Sequence, residues 1–111
     1  MTTNYQKGYA FELKCRDYWR RKGWSCDRTP ASKTPYDLTC VRKTADNHQT
    51  VLRVQCQRHL PFSRKKVENL ISWCGKESSH PLLMWGNGKV NVKHAIDYMA
   101  ENVYKIHKEV S

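Results

Sequence analysis

Residues 36–57 read YDLTCVRKTADNHQTVLRVQCQ, and this stretch decides the fold. Two runs rich in Val, Thr and Leu, 36–42 and 49–57, flank the polar piece 43–48, whose Thr44, Asp46 and Asn47 suit a hairpin connection. Strand side chains alternate between the two faces of a sheet. Val51, Arg53, Gln55 and Gln57 therefore share one face of the second run, and Leu52, Val54 and Cys56 the other. In the first run Asp37 points away from Tyr36, Leu38 and Cys40. Folded as a hairpin, the two runs bring Asp37 beside Gln55.

Working outward, a helix begins at Thr3, whose hydroxyl can cap it with Gln6 three residues on, and stops at Gly23. Phe11, Cys15 and Tyr18 form its core stripe, and Gly8, Glu12, Cys15 and Trp19 the row beside it, so Glu12 borders the buried face. Residues 24–29 read as a strand and 30–35 as a loop. After the hairpin, Pro61, Phe62 and Ser63 introduce a helix with Val67, Leu70, Ile71 and Cys74 on one stripe, closed by Gly75. Residues 82–85 are a fourth strand, Asn87-Gly88 a tight turn, and 89–92 a fifth strand. A last amphipathic helix runs from His94, with Ala95, Met99 and Val103 on its apolar side. The order α-β-β-β-α-β-β-α describes an α/β domain: a mixed central sheet flanked by helices, with a right-handed crossover through the second helix.

The 111 residues suffice for a single domain, 1–111. The net charge is +10, from 20 Lys and Arg against 10 Asp and Glu, and it is not spread evenly. Residues 1–66 hold 15 of the 20 basic residues against five acids, Glu12, Asp17, Asp27, Asp37 and Asp46, and so carry the whole excess; residues 67–111 hold five of each. A basic excess confined to one part of a domain is the footprint of a polyanion, because phosphates neutralised by Lys or Arg release their condensed counterions. No run approaches the ~18 apolar residues of a membrane span, and MTTNYQKGYAFELK lacks the basic-then-apolar layout of a signal peptide. The expected location is the cytoplasm, with a viral or phage origin of the protein as an alternative source. Cys15, Cys26, Cys40, Cys56 and Cys74 are odd in number and form no C-x-x-C pair; each falls within a predicted helix or strand, as free, buried thiols would. The five histidines are scattered, with no ligand-pair spacing.

The acids within the basic part therefore stand out. Asp37, Gln55 and, from the first helix, Glu12 would converge as hard oxygen donors, suited to Mg²⁺, with Mn²⁺ as a substitute. Gly8-Tyr9-Ala10-Phe11-Glu12, Arg28-Thr29-Pro30-Ala31-Ser32, Tyr36-Asp37-Leu38 and Leu52-Arg53-Val54-Gln55-Cys56-Gln57, in that order, resemble the archaeal-type Holliday-junction resolvases of the PD-(D/E)XK nuclease superfamily. The resemblance spans roughly residues 8–85. It implies a restriction-endonuclease-like core, metal-dependent hydrolysis of phosphodiesters in branched or four-way-junction DNA, and a homodimer that cuts two strands symmetrically.

Carried over residue by residue, the resemblance makes Glu12, Asp37 and Gln55 the metal ligands, with Gln55 where most members have Glu, and places Ser32 in the loop that touches the scissile region. Arg28 would contact phosphate, and Leu13 stands where resolvases tend to have Arg. Gln57 occupies the place of the catalytic lysine, yet a neutral amide cannot supply the positive charge that stabilises the phosphorane. Three accounts fit this residue: a lysine supplied from elsewhere (Lys14, Lys33, Lys65 or Lys66), a nuclease fold that binds nucleic acid with weakened or no catalysis, or an engineered change. Arg16, Arg20, Arg58, Arg64, Lys65 and Lys66, together with Arg28 and Lys33, are the expected contacts to the DNA backbone, which position the duplex without reading its sequence. Trp73, Met84 and Trp85 are expected mainly in the core, with a dimer face as the alternative.

Overall fold

The computed structural model describes residues 3–29, 33–86 and 88–110, the last eight for their backbone path alone. Helix α1 (Asn4–Arg21) starts at the expected cap: the Thr3 hydroxyl accepts from the Gln6 amide while the Gln6 side chain accepts from the Thr3 amide. The chain leaves it through Gly23 at φ +91°, a left-handed conformation that glycine adopts at little cost. Strands β1 (Ser25–Arg28), β2 (Leu38–Lys43) and β3 (Gln49–Gln57) make an antiparallel meander. Helix α2 (Arg64–Glu77) then crosses over to β4 (His80–Trp85), which runs parallel to β3; β5 (Asn91–His94) returns antiparallel, and α3 (Ala95–Val110) follows. Strand order in the mixed five-stranded sheet is β1-β2-β3-β4-β5.

Two apolar layers sandwich the sheet. On one side Phe11 and Cys15 of α1 pack on Cys26, Leu38, Cys40, Leu52, Val54, Leu82 and Met84. On the other, Val67, Leu70 and Cys74 of α2 and Ala95 of α3 enclose Tyr36, Phe62 and Leu83. Strand β4 is buried on both faces, which is why its residues 81–85 form an unbroken apolar run instead of an alternating one. Each fully buried aliphatic side chain, such as Leu38, Leu70 or Leu83, contributes roughly 1.5–3 kcal/mol by leaving water.

The hairpin read from the sequence forms, with Leu38 opposite Val54 and Lys43 opposite Gln49, closed where the Thr44 amide donates to His48 O at 2.7 Å. Several expectations change in detail. Strand β2 begins at Leu38, so Asp37 immediately precedes it, and Tyr36 does not share a face with Leu38 and Cys40. Outside the strand the alternation lapses, and the Tyr36 ring turns to the α2 side, edge-on to Trp73. Helix α2 passes through Gly75 and ends at Glu77, with Ser78 in the left-handed position at φ +59°. The added turn is anchored by Arg53, which grips Glu77 with two nitrogens. The β4–β5 connection is longer than a two-residue turn: Trp85 pairs with Asn91, whose side-chain amide donates back to Trp85 O, so β5 lies at 91–94 rather than 89–92. Strand β4 begins two residues earlier than expected, at His80. Cys26 and Cys40, expected as free thiols, face each other across β1 and β2 and are joined as a disulfide, because the register sets them as direct partners. Cys15, Cys56 and Cys74 are free. Asn87 and the Val103 side chain lie outside the described residues.

Candidate active site

Three backbone-directed hydrogen bonds fix Asp37. Its amide donates to Val54 O at 2.7 Å, its carbonyl accepts from the Thr29 amide at 2.8 Å, and its carboxylate Oδ2 accepts from the Cys56 amide at 2.8 Å. Extending the β2–β3 register by one position sets Asp37 opposite Gln55, as the alternation predicted. Asp37, Gln55 and Lys66 line one cavity of about 290 Å³, walled by Thr34, Tyr36 and Asn69. Burial pushes the Asp37 carboxyl up to about 6; the Cys56 amide, Lys66 and Arg28 pull it down, while the charge of Glu12 adds to the rise. A half-buried carboxylate whose proton is held this tightly has less opposing charge around it than it could use.

Glu12 stands on the α1 side and does not line the cavity. Arg28 reaches it from β1, with Nε and Nη2 both 2.8 Å from Oε2, and the same guanidinium lies 4.2 Å from the centre of the Tyr9 ring. The bond to Glu12 raises the Arg28 pKa, so this arginine is engaged by a carboxylate rather than left open for phosphate. Because both contacts use Oε2, Oε1 of Glu12 keeps its lone pairs. Asp37 Oδ1 and the Gln55 amide likewise have no hydrogen-bond partner among the described residues. Among these residues no group of three His, Cys, Asp or Glu surrounds one point, and the cavity itself offers a cation one carboxylate, Asp37, and the amide oxygen of Gln55, with Glu12 outside its lining. That donor set suits Mg²⁺, which takes one or two carboxylates and fills the remaining positions with water and phosphate oxygen.

Gln57 is occupied elsewhere. Its Nε2 donates to His59 O and, at 2.8 Å, to Pro61 O, so it braces the connection from β3 into α2 and does not line the cavity. Of the four lysines considered as replacements, Lys66 reaches the Asp37 cavity. Lys33 lines a neighbouring groove, Lys14 lines a pocket with Arg58, Gln6 and Lys7, and Lys65 is exposed on α2. Ser32 lies outside the described residues. Lys66 occupies the third position of α2, where its amide donates to the capping Ser63 hydroxyl. Arg64, Lys65 and Lys66 together crowd a first turn that has no acid. Cations at this end oppose the helix dipole, at about 0.3–1 kcal/mol each for exposed groups, so the arrangement favours an incoming anion.

The remaining basic residues divide into two kinds. Arg16 pairs with Asp17, Arg20 with Asp27, and Arg64 with Glu68, each through an exposed or half-exposed ion pair of 2.8–3.0 Å. Arg58, Lys33, Lys65 and Lys66 form no ion pair among the described residues. Asn69, absent from the residues singled out in the sequence, lines the same cavity as Lys66, three positions away on α2. The signal was available as a second helical row, Lys66, Asn69, Trp73 and Lys76, beside the apolar stripe.

Neither a family model nor a curated protein matches the chain. Among solved structures it is similar to Hjc of Archaeoglobus fulgidus, a Holliday junction resolvase from an archaeal hyperthermophile, with 17% sequence identity, a TM-score of 0.58, and coverage of 79% of this chain and 77% of that one. The five-stranded mixed sheet with its flanking helices thus has the fold of an archaeal Holliday-junction resolvase, the fold that the ordered motifs from Glu12 to Gln57 implied.

Proposed function

We propose that the protein is a metal-dependent, structure-selective DNA endonuclease of the Holliday-junction-resolvase type, hydrolysing phosphodiesters in branched DNA. The observation that carries this reading is the joint placement of Asp37, Gln55 and Lys66 on one cavity within a resolvase-like fold. Asp37 and Gln55, with Glu12 contributing Oε1, would hold Mg²⁺ or Mn²⁺, which when bound supplies an activated water and neutralises phosphate charge. Lys66 would face a non-bridging oxygen of the scissile phosphate and stabilise the charge that grows there during attack, the task Gln57 cannot perform. Lys65 on the same turn, with Lys33 in the neighbouring groove, would hold flanking phosphates and orient the strand. Two such sites cutting opposite strands of a four-way junction require a homodimer working where DNA is present. No described helix is long and apolar enough to cross a membrane.

A second reading, a nuclease fold that binds DNA without cutting, is favoured by one observation: Gln57 is neutral and bound to two backbone carbonyls. Incubating the protein with a labelled four-way junction in Mg²⁺, beside Asp37→Ala, separates the two. Paired nicks made by wild type and absent from the variant support the endonuclease; equal inactivity with retained junction binding supports the second reading.

A further inference from the structure

A second cavity of about 410 Å³ adjoins the Asp37 site and shares Thr34, Pro35 and Asn69 with it. Its volume falls within the ~300–1,000 Å³ of clefts that hold small ligands. Its other residues have a specific chemistry: the indole of Trp73, the ammonium groups of Lys33 and Lys76, and the hydroxyl of Ser72. No acid lines it. Along α2 the row Lys66, Asn69, Trp73 and Lys76 runs from one cavity into the other, and ten residues of helix extend about 15 Å.

The indole is 38% exposed, and its orientation is set from behind. Trp73 Nε1 donates to Glu77 Oε1 at 3.0 Å, and the ring meets Tyr36 edge-on at 5.8 Å. Glu77 is itself held by Arg53 and by the Ser79 hydroxyl, while the Arg53 guanidinium covers the Tyr36 ring at 4.6 Å and donates to Thr39 Oγ1. These bonds, that from Arg53 first, lower the Glu77 pKa, so the carboxylate stays charged and stays bound to the indole. The network anchors the ring without covering the whole of it. An aromatic surface fixed between two lysines suits a base that has left its stack, because every base offers a π-face and every nucleotide a phosphate.

Resting on the endonuclease reading of the Asp37 site, we infer that this groove binds an unstacked nucleotide of the strand being cut, its base against Trp73 and its flanking phosphates at Lys33 and Lys76. Branch points provide such nucleotides, whereas an intact duplex keeps its bases stacked. Equilibrium binding of a dT12 oligonucleotide and of a four-way junction, measured at two salt concentrations, tests the assignment. Trp73→Ala is expected to weaken dT12 binding by about 5- to 150-fold, the worth of stacking one base, and Trp73→Phe to restore most of it. The double variant Lys33→Ala/Lys76→Ala should flatten the salt slope for dT12 by about 1.4, at ~0.7 per phosphate contact on a single strand. It also keeps the test intact if Trp73→Ala is poorly folded. Unchanged dT12 binding by these variants, while Asp37-dependent cleavage persists, would overturn the groove alone; wild type that binds neither DNA would overturn the endonuclease reading with it.

Discussion

Three arginines on the α1 side of the sheet and the three lysines that line the α2-side cavities use positive charge in opposite ways. On the α1 side, Arg16, Arg20 and Arg28 are each matched to a nearby carboxylate of the same chain, Asp17, Asp27 and Glu12. On the α2 side, Arg53 and Arg64 are paired with Glu77 and Glu68, but Lys33, Lys66 and Lys76 line cavities, and among the described residues they form no ion pair and Asp37 is the one acid in those linings. Net charge alone would rank the α1 face as the nucleic-acid surface, since that helix is dense in arginine. Pairing narrows that difference: an arginine already bound to a carboxylate must give up that bond before it takes a phosphate, whereas an unpaired lysine gives up only water. Part of the basic excess of residues 1–66 is therefore consumed in ion pairs on the α1 side, while Lys7, Lys14 and Arg21 of α1, like Lys65 and Lys66 of α2, form no ion pair among the described residues.

Substitutions can break this contrast. The largest effect is expected on the α2 side: Asp37→Ala should reduce junction cleavage by at least ~100-fold, the scale set by losing electrostatic stabilisation at a reacting phosphate. On the proposed reading Glu12→Ala comes next, at about 10- to 100-fold, because it would remove a carboxylate oxygen from the cation and also releases Arg28. Single-turnover rates with Mg²⁺ in excess measure both.

A third effect is on stability, and its sign is opposite. The Asp37 carboxyl sits at about 6, above its ordinary value near 3.8, so the folded state holds this proton more tightly than the unfolded chain does. That stabilisation is complete below pH ~4, is lost as pH rises towards 6, and leaves a charged, poorly compensated group at pH 7. Asp37→Asn keeps an acceptor for the Cys56 amide and removes the charge. It should raise unfolding free energy by about 1–3 kcal/mol at pH 7 and by almost nothing at pH 4, as read from urea titrations. Mg²⁺ should stabilise wild type and leave this variant unchanged. The smallest effects belong to the α1 side: Arg16→Ala and Arg20→Ala should alter stability by less than ~1 kcal/mol and junction affinity by less than about twofold, since exposed ion pairs contribute little.

How much of this could be read in the sequence differs between the two faces. The hairpin that sets Asp37 beside Gln55 was legible because strand alternation is a local rule and the 43–48 connection has turn chemistry. The cap at Thr3, the stop at Gly23 and the α2 stripe were legible for the same reason. What alternation could not supply was pairing across distance. Nothing local says that Arg28 will choose Glu12, or that Gln57 will be spent on the carbonyls of His59 and Pro61. Nor does spacing indicate that Cys26 and Cys40 will be partners, since that depends on the register of β1 against β2. The choice of Lys66 among four lysines likewise needed the angle at which α2 crosses the sheet.

On the proposed reading, the positive charge at the reacting phosphate comes from Lys66 on α2 and not from position 57 on β3. The most direct test compares single-turnover junction cleavage in Mg²⁺ by wild type, Lys66→Ala and Gln57→Ala, with junction affinity measured in parallel. The expected result is a loss of at least ~100-fold in rate for Lys66→Ala with only a few-fold loss of affinity, and a rate within about threefold of wild type for Gln57→Ala. A Lys66→Ala enzyme that cuts as fast as wild type, or a Gln57→Ala enzyme that is the inactive one, would contradict the account.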